Sequence, residues 1–94
     1  MDVVALGELL IDFTENGISS QGNPLFEANP GGAPCNVLAM LTKLGHKTAF
    51  IGKVGNDFFG KQLEQTIIDV GIDASGLQKD DDVHTTLALV HTYP

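Results

Sequence analysis

The stretch N-P-G-G-A-P-C-N, Asn29 to Asn36, sets two glycines between two prolines just ahead of an apolar helical pattern. Gly31 and Gly32 have no Cβ, so the backbone there reaches positive φ and lets a ligand come close. Pro34 suits the first turn of a helix, where its missing N–H leaves nothing unpaired. The helix behind it presents N–H groups without intrahelical partners. Asn36 lies in that first turn and carries a donor and an acceptor, a mix that suits hydroxyl groups. The same residues also read as a plain turn, with Asn36 as a local backbone partner.

Working outward, Val37, Leu41 and Leu44 recur at i, i+4 and i+7, with Leu38 and Met40 beside them. That spacing predicts a helix with one broad apolar stripe, stopped by Gly45. Upstream, Asp2 to Gly7 is a short apolar run closed by glycine, the pattern of a strand buried on both faces of a parallel sheet. Leu9 to Thr14 continues in extended style, and Asp12 puts a charge at the end of this first strand region. Gly17 to Pro24 is a polar turn, and Leu25 to Ala28 a short return strand. Lys47 to Val54 reads as a second main strand. Gly55-Asn56-Asp57 is a turn with Asp57 as N-cap. Phe58 to Val70 predicts a second helix, with Phe59, Leu63, Ile67 and Val70 on one face and both phenylalanines in the core. Ile72 to Asp82 is an acidic loop with room for a short strand, and Asp80-Asp81-Asp82 a solvated turn. His84 to Thr92 alternates as a strand. The order is strand, hairpin, helix, strand, helix, strand, strand. That is an α/β layered domain with a parallel sheet and right-handed crossovers. So thin a sheet suggests the first part of a larger domain.

Ninety-four residues suit one domain, and 43% apolar content suits a globular one. The net charge of −7 repels phosphate backbones and anionic lipids, so neither nucleic acid nor membrane is an expected partner. Cys35 is the only cysteine and makes no internal disulfide. No basic n-region or spanning apolar run is present, which gives a cytoplasmic expectation.

Asp12 is expected near the glycine loop, at the carboxyl edge where ligands of parallel sheets bind. A carboxylate accepts from two neighbouring hydroxyls at once and so grips a sugar diol; the alternative is a turn cap. G-N-D-F-F-G-K-Q, Gly55 to Gln62, matches a P-loop until Gln62, which stands where Ser or Thr holds magnesium. Phe58 and Phe59 also fill a loop meant to wrap phosphate, and Lys61 reads as a solvent-facing residue. No G-x-G-x-x-G occurs. His46, His84 and His91 show no metal spacing. Cys35 reads as a small apolar filler, with a thiol activated by the helix N-terminus as the alternative.

G-E-L-L-I-D-F at Gly7 to Phe13, N-P-G-G-A-P-C-N, and L-T-K-L-G-H-K-T-A-F-I-G-K-V-G-N-D-F-F-G at Leu41 to Gly60 together resemble the N-terminal third of a PfkB-type (ribokinase-like) carbohydrate kinase. The nearest subgroup is bacterial fructokinase, and the resemblance covers essentially the whole chain. Leu38 departs from it, standing where the family has a small residue. The resemblance implies a ribokinase-like three-layer α/β/α, Rossmann-like fold with a small β-sheet lid, here only its N-terminal portion. Residues 1–94 then belong to one kinase domain, with lid strands at roughly 13–28 and 84–93. Asp12, Gly31, Gly32 and Asn36 match the residues that contact sugar hydroxyls. The implied full reaction uses ATP and Mg²⁺ on a sugar hydroxyl, with fructose O6 the expected target. The nucleotide site and catalytic aspartate belong to a G-A-G-D motif that does not occur here, so no catalytic, cofactor or metal residue is assigned. The 94 residues are expected to be inactive alone, and a homodimer through the lid is implied. The alternatives are a PfkB kinase for 2-keto-3-deoxygluconate, ribose or a nucleoside, and a non-catalytic module that binds sugar or a partner.

Overall fold

The chain runs β1 (Val3–Glu8), β2 (Leu10–Ile18), β3 (Pro24–Gly31), α1 (Ala33–Lys43), β4 (Thr48–Gly55), α2 (Phe58–Asp69), β5 (Asp73–Asp80) and β6 (Thr86–Val90). These elements come from a computed structural model that describes residues 1–90. The far end of the strand expected over 84–93, His91 included, lies outside the described residues.

Two three-stranded sheets form. One is parallel, in the order β1-β4-β5. In the other, β2 lies between an antiparallel β3 and a parallel β6. The segments expected at 13–28 and 84–93 thus fall at Leu10–Ile18, Pro24–Gly31 and Thr86–Val90. The β2–β3 hairpin closes through Ser19. Its hydroxyl accepts from the amides of Gln21 and Asn23, and its own N–H donates to the Asn23 carbonyl.

The parallel sheet advances one way, from β1 to β4 to β5. Right-handed crossovers that keep advancing put their helices on a single face. Phe50 and Val54 of β4 are buried in a core with Leu38 of α1 and with Leu63 and Ile67 of α2. Ile51 points the other way and is 45% exposed, beside Val4 and Leu6 of β1 at 52% and 77%. β1 was expected to be buried on both faces. Only one is covered, because both connections pass on the same side.

Three further expectations change. The packed face of α1 centres on Leu38, flanked by Cys35 and Ala39, while Val37, Met40 and Leu44 are exposed. The apolar stripe is broad enough that sequence alone does not pick the side facing the sheet. Phe58 is exposed at the start of α2, whereas Phe59 packs edge-on against Phe13 of β2, ring centres 5.5 Å apart. The acidic loop after Gly71 is a full strand, β5, carried by Leu77 in the core and by pairing with β4. Its Asp80 pairs with Lys53 at 3.2 Å, and Asp81 accepts from the Asn56 amide at 2.6 Å.

Asp57 ties the two sheets together. As expected it caps α2, accepting from the Gly60 N–H at 2.7 Å. It also accepts from the backbone N–H and the hydroxyl of Thr85, at 2.8 and 2.7 Å, where the chain enters β6. The buried Thr85 hydroxyl in turn accepts from the Gly55 N–H. The Thr85 amide does most to hold the Asp57 carboxyl low, at about 2. Partial burial opposes it, while the Gly60 amide, the Thr85 hydroxyl and His84 reinforce it. The turn is tight enough that a Cβ on Gly60 would overlap the Gly55 carbonyl oxygen.

Two outcomes follow from this junction. Gly60→Ala forces a backbone carbonyl to move, and chemical denaturation is expected to show a loss of about 1–3 kcal/mol; an unchanged midpoint would rule out the close seat of α2 on Gly55. Asp57 ionises at lower pH when folded than its ordinary value of 3.8. Its stabilisation is therefore complete above that value and disappears as pH falls through about 2. Unfolding free energies between pH 5 and 2 are expected to fall by about 2 kcal/mol on its account. Asp57→Asn, which keeps an acceptor but no charge, removes that share of the acid dependence.

Candidate functional site

Leu9 and Ile11 are 1% and 0% exposed, and they fix how the chain leaves β1 for β2. Strand alternation then sends Leu10, Asp12 and Thr14 to the opposite face. Asp12 therefore sits inside β2, in the second sheet, rather than at the end of the first strand where the sequence put it. A charge is tolerated there because that face is not the core face.

The register places Asp12 between Asn29 of β3 and Ala88 of β6, and Leu10 between Gly31 and Thr86. Directly opposed residues share a face, so Gly31 and the Asp12 carboxylate lie on the same side. A Cβ on Gly31 would overlap the Asp12 Oδ2 atom and would come within 2.9 Å of the Leu10 Cδ1 atom. Only glycine leaves the carboxylate its place. Gly32 follows with φ +116°, and a Cβ there would press on the Glu8 carbonyl oxygen at 2.5 Å. Gly32 is the N-cap of α1, and no side chain caps this helix. Pro34 stands in the first turn, as expected, and its ring packs against Gly7 at the end of β1.

Asp12, Gly31 and Gly32 thus meet in one corner. Asp12 is half-buried, its carboxylate oxygens stay open to solvent, and among the described residues it accepts no hydrogen bond and makes no ion pair. Asn36 is exposed, one helical turn on from Gly32, and its N–H makes the first helical bond, to the Gly32 carbonyl at 3.3 Å. The rise between the two is about 6 Å. A cleft of about 180 Å³ opens between Glu8 and Lys53 at the carboxyl ends of β1 and β4 and Val83 to Thr86; none of Asp12, Gly31, Gly32 or Asn36 lines it, and it meets the corner only through Glu8, whose carbonyl faces Gly32. A larger hollow of about 410 Å³ lies at the amino ends of the strands, around Met1, His46 and Asp73, away from Asp12.

One polar pair on the same face was not singled out from sequence. The Asn29 side-chain amide donates to the Thr14 hydroxyl at 3.2 Å. Its signal was available in the alternation of β3, which puts Asn29 and Gly31 on one face.

The other candidates resolve simply. The Gly60 amide that a P-loop would offer to phosphate is taken by Asp57, itself an anion, and Lys61 is exposed on α2. That turn does not fit ATP. Among the described residues no three His, Cys, Asp or Glu side chains gather to hold a metal. His46 stands 4.0 Å from Asp2, and His84 3.3 Å from Asp57. Cys35 packs on the core, and burial pushes its thiol up, the reverse of activation.

Comparison with known proteins adds to this geometry. A curated relative, probable fructokinase-7 from Arabidopsis thaliana, is 46% identical over 90 residues, covering 94% of this chain and 26% of the relative. An uncharacterised sugar kinase from Pyrococcus horikoshii, solved in complex with ATP, is 39% identical with a TM-score of 0.85 over 94% of this chain and 30% of its own. The fructokinase from Vibrio cholerae O395, solved with fructose, ADP and calcium, is 34% identical with a TM-score of 0.83 over 95% of this chain and 27% of its own. The chain therefore spans about a quarter of the length of the curated relatives it matches. These neighbours establish the ribokinase-like α/β fold of these residues. The family described as pfkB family carbohydrate kinase matches residues 1–94, end to end, and the chain belongs to it.

Proposed function

We propose that these residues form the sugar-holding part of a cytoplasmic, ATP-dependent carbohydrate kinase, with D-fructose as substrate and O6 as the acceptor. The observation that carries the reading is the Asp12 carboxylate, without a partner among the described residues, fitted into the space that Gly31 leaves beside the uncapped start of α1. A polyol supplies the donors this carboxylate lacks. The backbone at Gly31 and Gly32 meets the sugar closely, and Asn36 gives and takes one hydrogen bond each from the exposed helix face. Fructose and ADP in the Vibrio cholerae relative support both the substrate class and the nucleotide.

The chain's own part is to bind and orient the sugar. Bound ATP and Mg²⁺ supply the phosphoryl group and its charge neutralisation. The described residues do not fit either, so their site and the proton-accepting aspartate are assigned to other parts of a protein of the relatives' length. The bare apolar face at Val4, Leu6 and Ile51 supports further packed layers. We also propose a homodimer through the second sheet, whose Leu87, Leu89 and Phe26 leave apolar surface on the face away from Asp12.

A coupled assay of ATP-dependent phosphorylation is expected to show turnover of fructose by the complete coding sequence and none by residues 1–94. Turnover by the short chain would overturn the placement of catalysis elsewhere. A complete protein that phosphorylates no hexose, pentose or nucleoside would leave the non-catalytic binding module as the reading.

Hydrogen bonds to a charged acceptor contribute about 1.5–3 kcal/mol, so Asp12→Ala is expected to weaken sugar binding by about ten- to a hundred-fold, read by calorimetric titration. Unchanged affinity would remove Asp12 from the site.

A further inference from the structure

We infer that Asn29, braced by Thr14, is a specificity residue that reads one further sugar hydroxyl beside the pair held by Asp12; this rests on the sugar-kinase reading above. Asn29 and Asp12 are directly opposed across β2 and β3, so their side chains project from one face with Cβ atoms about 5 Å apart. Asn29 is half-buried, and its position is held by two contacts made by the same atom. Nδ2 donates to the Thr14 hydroxyl at 3.2 Å and, more weakly, to the Glu27 carbonyl at 3.4 Å. A backbone carbonyl only accepts, so the amide nitrogen is the end that faces it, which fixes the flip of the group.

Both contacts use the nitrogen. The Oδ1 atom accepts nothing among the described residues. A ligand on this face therefore meets the two carboxylate oxygens of Asp12 and, one strand over, a third acceptor of fixed orientation. Three acceptors side by side call for three donors. The chemical class is a polyol with a run of three hydroxyls, in which the third is distinguished by its configuration. A carboxylate adapts to either of two diol geometries. A braced amide oxygen is less forgiving, so it is the element that discriminates between epimers.

A purely structural Asn29 would serve strand pairing alone, and its loss would lower stability without changing the preference among sugars. The test separates the two roles. In the complete enzyme, kcat and KM are measured for the best sugar of the coupled assay and for its single-centre epimers, which for fructose include D-psicose and D-tagatose. Asn29→Ala is expected to lower kcat/KM for the best sugar about three- to ten-fold, mainly through KM, and to narrow its lead over one epimer by a similar factor. Thr14→Val, which removes the brace and leaves the amide, is expected to shift the same ratio in the same sense by less. If both variants keep the wild-type ratios, even with a uniform loss of activity or a lower melting temperature, the inference falls. A wild-type enzyme that accepts no sugar removes the kinase reading and this inference with it, a result plainly different from an active enzyme with unchanged ratios.

Discussion

The burial of Leu9 and Ile11 decides everything built on the second sheet. Side chains in a strand alternate with a period of two, so a slip of one residue would carry Asp12 into the core and Ile11 to the opposite face. An unpaired carboxylate in that core would cost several kcal/mol, while burying an isoleucine contributes about 2–3 kcal/mol. Both effects favour the same register. The position of the Asp12 corner is thus fixed by two aliphatic side chains on the opposite face of the strand.

The two sheets are joined by connections of different character. At the start of β6 the joint is chemical: one carboxylate accepts from three donors, Gly60, the Thr85 amide and the Thr85 hydroxyl. At the end of β3 the joint is steric: Gly31 and Gly32 carry the chain past Asp12 and Glu8 with no side chain to spare. The first joint holds by hydrogen bonds to an ion, the second by the absence of atoms. Asp57 and Asp12 are chemically the same group in opposite circumstances. Asp57 is saturated by protein donors and serves the fold. Asp12 accepts nothing among the described residues and is free to meet a ligand.

Much of this was legible in the sequence, for reasons that can be named. The helix boundaries were written by residues with one local meaning: Pro34 in a first turn, Gly45 at φ +94° after α1, and Asp57 as a cap. The nearness of Asp12 to the glycine pair was also expected, from a carboxyl-edge argument, and it holds although Asp12 lies inside β2 of the second sheet rather than at that edge. What failed depended on distant partners. Nothing local tells β1 that both helices pass on one side, so the exposure of Val4 and Leu6 was invisible. β5 contains D-A-S-G-L-Q-K-D, poor in strand formers, and exists because β4 offers it a partner. The packed side of α1 and the exposure of Phe58 were likewise settled by the sheet rather than by helical period. Asn29 was missed because it belongs to a strand that was read as a loop.

The empty acceptors of Asp12 also explain why glycine, rather than a larger residue, occupies position 31. A side chain there would either displace the carboxylate or, if it carried a donor, satisfy it. Asp12 is a half-buried carboxylate without a protein partner among the described residues, and functional sites are where local rules of polar satisfaction are broken. On the sugar-holding reading proposed above, a ligand with several hydroxyls supplies the donors that the corner lacks. A neutral ligand adds no charge to a chain already at −7. An anion in the same corner would face Asp12 at close range, and among the described residues no basic side chain pairs with that carboxylate; on that same reading, the corner favours hydroxyls over phosphate.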